Sequence, residues 1–301
     1  MAHSDRRQLM GSSFGTHGWL RSSVGGECRI LPAGHGRIVG SFRFMTETPD
    51  LSTFNDDEDT ARRATEAIGI IVAALDAMGA PGSVARRPDT SGKVFMLAYG
   101  WFATIVRSGQ LVALAHEHGL RHECASNARL VMQHSFALQW VIEGGDAAFE
   151  AVAVLAERHK HDLDKELVDS NWSLPAGFTL QAGTKPPKSG ALQEQFDNFK
   201  AMCALYDGGP QAYVPFRLES ASAHPSFTSA MAYINVTDGG VPEPSTTAVS
   251  DSFAFLLETG RCVIQAGHAL APLLTDTSLA EAVGKAEAAF GFPVPLWQRL
   301  P

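Results

Sequence analysis

D-D-E-D-T-A-R-R-A-T-E-A-I-G-I-I-V-A-A-L-D-A-M, residues 56–78, decides the fold class. Ala61, Ala64, Ile68, Ile71, Val72 and Leu75 recur at steps of three and four, the period of a helix with one apolar face. A half-buried strand would alternate at every second residue, and this stretch does not. Asp56, Asp57, Glu58 and Asp59 stand where the positive end of a helix dipole favours acids. Gly79 and Pro81 then stop the run.

The same period continues downstream. Helices are expected over about 93–118, 123–143, 146–169, 192–206 and 245–274, with a short last one running to 289. Gly119, Gly144-Gly145 and Gly208-Gly209-Pro210 punctuate them, and Asp146 and Asp276 are good N-caps. Loops are expected at 171–189, which holds Pro175, Pro186 and Pro187, and at 237–244. Strand signals are almost absent and no fixed-period repeat occurs. The expected architecture is all-α: an antiparallel helical bundle with short turns, forming one domain over 51–301.

Residues 1–50 read differently. They are rich in Gly, Ser and Arg, show no sustained periodicity, and are expected to be a disordered N-terminal extension. Arg and Ser with few acids is the composition of an organelle transit peptide. The preferred alternative is that Met45 is the true start.

Composition narrows the class. The chain has 301 residues, 45% hydrophobic and 19% charged, which is globular rather than disordered. Cys28, Cys124, Cys203 and Cys262 form no Cys-x-x-Cys pair, so they read as scattered reduced thiols in the cytoplasm. The net charge is −8, yet residues 1–44 carry six arginines against Asp5 and Glu27, which leaves −12 for the rest. A body so acidic offers no broad phosphate-binding surface, and any nucleic-acid contact must be local. The longest apolar stretch, 94–106, is too short to span a membrane, so no membrane association is expected.

Several motifs are missing. No P-loop, dinucleotide-binding fingerprint or Gly-x-Ser-x-Gly elbow occurs. No histidine of residues 45–301 has Glu three positions before it, which argues against a di-metal carboxylate bundle. Neither a cofactor nor a metal is expected.

Four constellations remain. His116, His118, His122 and Glu123 (H-E-H-G-L-R-H-E) could converge on a divalent metal, but read better as a solvated turn between helices. His159, His161, Asp162 and Asp164 read as a solvated helix face with local ion pairs. Arg129, with Gln133 and His134, lies in N-A-R-L-V-M-Q-H-S-F-A-L-Q-W, a helix apolar almost all round. An arginine there needs a partner, because burying an unpaired charge is costly. It serves either a structural network or an anion.

The fourth is R-L-E-S-A-S-A-H-P, residues 217–225. In a helix Arg217, Ser220, Ala221 and His224 share one face. Arg217 and His224 would stand two turns apart, near enough for the long arginine to bend back. Histidine can move a proton near neutral pH, and arginine can steady a developing oxyanion. Pro225 disfavours helical geometry at His224, so the helix should kink or restart there. The competing reading is a structural arginine with a histidine at a helix junction.

These residues carry a resemblance. N-A-R-L-V-M-Q (127–133) and Y-V-P-F-R-L-E-S-A-S-A-H-P-S (213–226) together resemble an uncharacterised bacterial family of unknown function. The second segment also resembles the Arg, four to six residues, His motif of the HEPN superfamily of helical bundles. The likeness covers roughly 121–234. Gln133 stands where the bacterial family has Glu, and Glu219 replaces a Leu-Ser pair. The resemblance implies a HEPN-like homodimer that cleaves or binds RNA, or binds a nucleotide, without a metal. His224 would handle the proton, Arg217 would stabilise the phosphorane, and Arg129 or Ser222 would assist. The alternative is a non-catalytic helical protein with a protein partner, in which the Arg/His pair is structural.

Overall fold

The computed structural model describes residues 57–79, 84–170, 173, 184–187, 190–237, 240–248 and 253–301. Ahead of these it describes three short strands, β1 (Arg21–Ser23), β2 (Glu27–Ile30) and β3 (Ile38–Val39), paired antiparallel in that order. Apart from those strands, the disorder expected over 1–50 lies outside the described residues.

Helix α1 (Glu58–Met78) forms where the apolar period places it. The Asp57 carboxylate caps its first turn, accepting from the Thr60 amide at 2.9 Å. Ala64, Ala67, Ile68 and Ile71 are fully buried along one stripe. Helix α2 (Gly92–Glu117) follows, and a tight turn leads into α3 (Ala125–Asp169), antiparallel to it. The first half of α3 buries Val131, Met132, Phe136, Leu138, Trp140 and Val141, so this helix runs through the interior.

The helix end expected at Gly144-Gly145 is a kink within α3. Gly145 takes φ 58°, ψ −145°, a conformation that a residue with a Cβ adopts only under strain. Two helices are thereby joined end to end with no connecting segment. Asp146, expected to cap the second, instead accepts from the Ser91 hydroxyl ahead of α2.

The helix expected over 192–206 is also divided. Helix α4 (Ala191–Asp197) ends at Asn198, which is extended at φ −122°, ψ 97°. The Asn198 side chain then caps α5 (Phe199–Cys203), accepting from the Ala201 amide. Helix α6 (Gly209–Ala223) and the single turn α7 (Phe227–Met231) come next. A two-stranded hairpin pairs β4 (Ile234–Val236) with β5 (Pro242–Pro244), the second strand lying in the expected loop 237–244.

Helix α8 (Ala254–Leu270) is the hub, packed against α1, α2, α3 and α9 (Ser278–Phe290). Small residues let it sit this deep. A methyl added at Gly267 would lie 2.5 Å from Cγ2 of Val283 on α9. The C-terminal tail straps the bundle: the Gln139 amide exchanges hydrogen bonds with the Trp297 backbone, and the Trp297 ring stacks 4.8 Å from Phe136. The all-α class is as expected. No helix among the described residues is long and apolar enough to cross a membrane.

Candidate functional site

Helix α6 is the element that carries the motif. Ala212, Phe216 and Glu219 lie at i, i+4 and i+7 and form its buried face toward α3. Arg217 and Leu218 point outward. The helix ends at Ala223, and His224 is extended at φ −116°, ψ 155°, as the following proline requires. Ser226 then starts α7 with a capping box shared with Ser229.

Because His224 leaves the helix, the i, i+7 register does not carry it back toward Arg217. Its ring instead reaches α3, where Nε2 lies 3.2 Å from Nη1 of Arg129. A guanidinium only donates, so Nε2 is the acceptor, and a neutral ring carries its proton on Nδ1. The Arg129 guanidinium also lies 4.7 Å from the Phe216 ring centre, a cation–π contact. Its Nε is buried without a partner among the described residues. The expected pairing of His224 with Arg217 is therefore replaced by a pairing with Arg129. Arg217 is exposed, and its side chain makes no hydrogen bond or ion pair with the described residues. Ser222, half-buried near the end of α6, makes no side-chain hydrogen bond either.

Behind this pair lies a cluster that the motif reading missed. Glu219 is 1% exposed, and its Oε2 has no hydrogen-bond partner among the described residues. Burial, and then the nearby Glu258 carboxylate, push the Glu219 acid well above its usual range, against the pull of Arg129 and Arg261. Arg261 cannot neutralise it, being already committed: it forks onto Glu258 (Nε to Oε2 2.9 Å), donates to Gln265 at 2.9 Å and stacks on Trp297 at 4.6 Å. One signal for this cluster was available. Arg261 sits in the apolar stretch of α8 as Arg129 sits in that of α3, and the same need for a partner applies. Glu219 also falls in register with Phe216 on the face that packs inward.

On the other side of Arg129 an open cleft of about 480 Å³ reaches the surface. Phe199, Tyr213 and Phe216 form an aromatic wall, with Phe199 and Phe216 at 4.4 Å and Tyr213 stacked on Phe216 at 5.7 Å. Gln133, Glu194, Asp197, Asn198 and Lys200 add polar groups. Gln133 also borders a small hollow of about 60 Å³ that holds His134. Burial lowers the pKa of His134, and its Nδ1 lies 3.0 Å from the Leu130 carbonyl.

The other constellations separate. His116 is buried against Phe253 rather than solvated, with neither ring nitrogen bonded among the described residues. Burial, helped by Arg121, lowers its pKa to about 4. His118 is exposed at the end of α2, and His122 meets the Tyr233 ring edge-on at 5.9 Å. In the second stretch Asp162 accepts from Lys185 at 2.6 Å, while His159 is exposed. Among the described residues no group of three or more His, Cys, Asp or Glu is placed to hold a metal ion. Cys124, Cys203 and Cys262 are free and buried, and burial pushes the first two thiols up to about 12.

No protein-family model, curated protein or solved structure matches this chain.

Proposed function

We infer that this is a HEPN-like helical protein that cleaves RNA, without a metal, at the Arg129–His224 pair. The observation that supports it is the 3.2 Å contact itself, which joins the two segments that carry the resemblance, at a place open to solvent. A phosphate that takes up the Arg129 N–H groups releases Nε2 of His224. The freed nitrogen removes the proton of a 2′-hydroxyl, and the 2′-oxygen attacks phosphorus. The bond from phosphorus to the 5′-oxygen breaks, and that oxygen takes the proton back from the imidazolium. The products are a 2′,3′-cyclic phosphate and a 5′-hydroxyl. Arg129 stabilises the charge on the phosphorane. Arg217, exposed and without an ion-pair partner among the described residues, is a second cation for the backbone, and the Ser222 hydroxyl has a hydrogen bond to give. In this reading two copies pair about a two-fold axis and bring two such sites together.

The test is incubation of the purified protein with mixed RNA in EDTA, beside His224→Ala. Cleavage by the wild type alone supports the reading. Intact RNA with both proteins sinks it.

A second reading has its own observation. Arg129 packs on Phe216 while holding His224, so the pair also fastens α6 to α3. In that reading the protein is a non-catalytic interaction module, and the acidic net charge of −8 fits a protein partner better than RNA. A thermal melt discriminates: His224→Ala lowers Tm markedly if the contact is structural and hardly at all if it is catalytic.

A further inference from the structure

We propose that the outer edge of β4 is a docking site for an extended segment of another protein. That segment adds to the hairpin as a third, antiparallel strand and carries a basic residue between two apolar ones. The site lies apart from the Arg129–His224 pair, and its use does not depend on RNA cleavage.

The register of the hairpin defines the site. The Thr237 amide donates to the Val241 carbonyl at 3.0 Å, and the Ser245 amide donates to the Tyr233 carbonyl at 2.8 Å. Bonded and non-bonded pairs alternate along an antiparallel ladder. The bonded pair between those two is therefore Asn235 with Glu243. Ile234 with Pro244, and Val236 with Pro242, are the non-bonded pairs, and their backbone groups point away from the partner strand. On β5 both outward positions are prolines, which have no N–H to give, so that edge is blocked. On β4 the outward positions are Ile234 and Val236. Their N–H and C=O groups have no hydrogen-bond partner among the described residues, and Val236 is 58% exposed. The hairpin is thus closed along one edge and open along the other. Backbone donors and acceptors repeated at every second residue are what an added strand pairs with.

The side chains select the sequence of that strand. Residues opposite each other in a ladder share a face. Ile234, Val236, Pro242 and Pro244 make one face apolar, and all but Ile234 are exposed. A strand that bonds to Ile234 and Val236 places its own two bonded residues on this face, so both are apolar. The residue between them lies beside Asn235 on the other face, with Glu243 in the next strand. On that face the Tyr233 hydroxyl donates to the exposed Glu123 carboxylate. Residues 225–257 contain Asp238, Glu243 and Asp251 and no lysine or arginine. A long basic side chain at the middle position therefore meets acids with no local cation competing for them. The same acids disfavour a second copy of this chain as the occupant, because it brings like charges to the contact.

The experiment measures binding of the labelled peptide Ser-Thr-Val-Arg-Val-Thr-Ser to the full-length protein by fluorescence anisotropy. Two further peptides carry Glu in place of Arg, or N-methyl groups on both valines. The protein variants are Val236→Pro and Glu243→Lys. Val236→Pro removes an outward N–H and no bond of the ladder, as the prolines of β5 already do. It should weaken the arginine peptide at least about tenfold, since the ring both removes a donor and obstructs the approach. The N-methylated peptide should not bind. The glutamate peptide should bind the wild type more weakly than the arginine peptide, and Glu243→Lys should reverse that order. Glu243 is exposed, so this swap tests the site even where Val236→Pro unfolds the hairpin. The proposal is overturned if the arginine peptide does not bind, if N-methylation or Val236→Pro leaves its binding unchanged, or if Glu243→Lys leaves the order of the two peptides as it was. It is also overturned if Val236→Pro shifts the protein's own sedimentation from dimer to monomer, because the edge then belongs to a second copy. RNA cleavage at His224 is scored separately and bears on none of these outcomes.

Discussion

Nη1 of Arg129 and Nε2 of His224 lie 3.2 Å apart, although the residues are 95 positions apart in sequence. The contact exists because a proline ends α6. Had the helix continued, His224 would have kept the register of Arg217 and faced away from α3. Since Nε2 accepts from the arginine, it cannot serve as a base until something else satisfies the guanidinium. A phosphate is the natural competitor for that guanidinium.

If that exchange begins the reaction, His224→Ala should lower RNA cleavage by about a hundredfold or more, the usual worth of a positioned proton carrier. Unfolding stability should change by less than about 0.5 kcal/mol, because the residue is exposed. Cleavage rates in EDTA and urea unfolding curves on the same preparations check both parts.

Glu219 should make stability fall as pH rises. Its acid is raised well above 4.5 in the folded protein, so the folded state holds a proton that the unfolded chain has released. The stabilisation is complete below about pH 4.5 and is lost as pH climbs through the raised folded value. Glu219→Gln keeps the shape and cannot ionise. It should flatten the slope of ΔG against pH over that window and match or exceed the wild type at the alkaline end. Parallel slopes for the two proteins would remove Glu219 as the cause.

His116 works in the opposite direction. Its pKa falls from 6.5 to about 4 on folding, chiefly through burial. The unfolded chain therefore binds a proton that the folded one refuses between those values. Stability is full above pH 6.5 and declines toward pH 4, by up to about 3 kcal/mol for a shift of that size. His116→Leu should remove this part of the acid destabilisation, as measured by chemical unfolding at pH 7, 5.5 and 4.5.

Gly267→Ala tests the hub. The new methyl would sit 2.5 Å from the Val283 side chain, between α8 and α9, where neither helix can yield without disturbing the core. A loss of about 1–3 kcal/mol is expected from overpacking. Gly69→Ala, where nothing lies within 4 Å of the added carbon, should be neutral or stabilising.

How much could be read without coordinates varies from element to element. Helix α1 was legible almost to the residue, because its period, the acids at its start and the Gly79 stop all agree. The depth of α3 was legible too, from its all-round apolar surface. The division at Asn198 was not, since a single cap inside a helical pattern is a weak signal. The break at Gly145 was placed correctly but read as the end of one helix and the start of another, because two glycines mark a break without saying how the next helix is aimed. His116 was misread because its neighbours His118 and Gly119 are exposed and it alone turns inward.

The sequence by itself determined that this chain is a helical bundle, which face of α1 turns inward, and that His224 stands at the end of its helix. These follow from local periodicity and from the geometry that proline imposes on its predecessor. Only the tertiary structure decided that His224 meets Arg129 rather than Arg217. It also decided that Glu219 is sealed beside an arginine already held by Glu258, and that an aromatic cleft opens next to the pair. Those relationships depend on how α3, α6 and α8 pack, and packing is settled by the fit of whole surfaces rather than by any short stretch of residues.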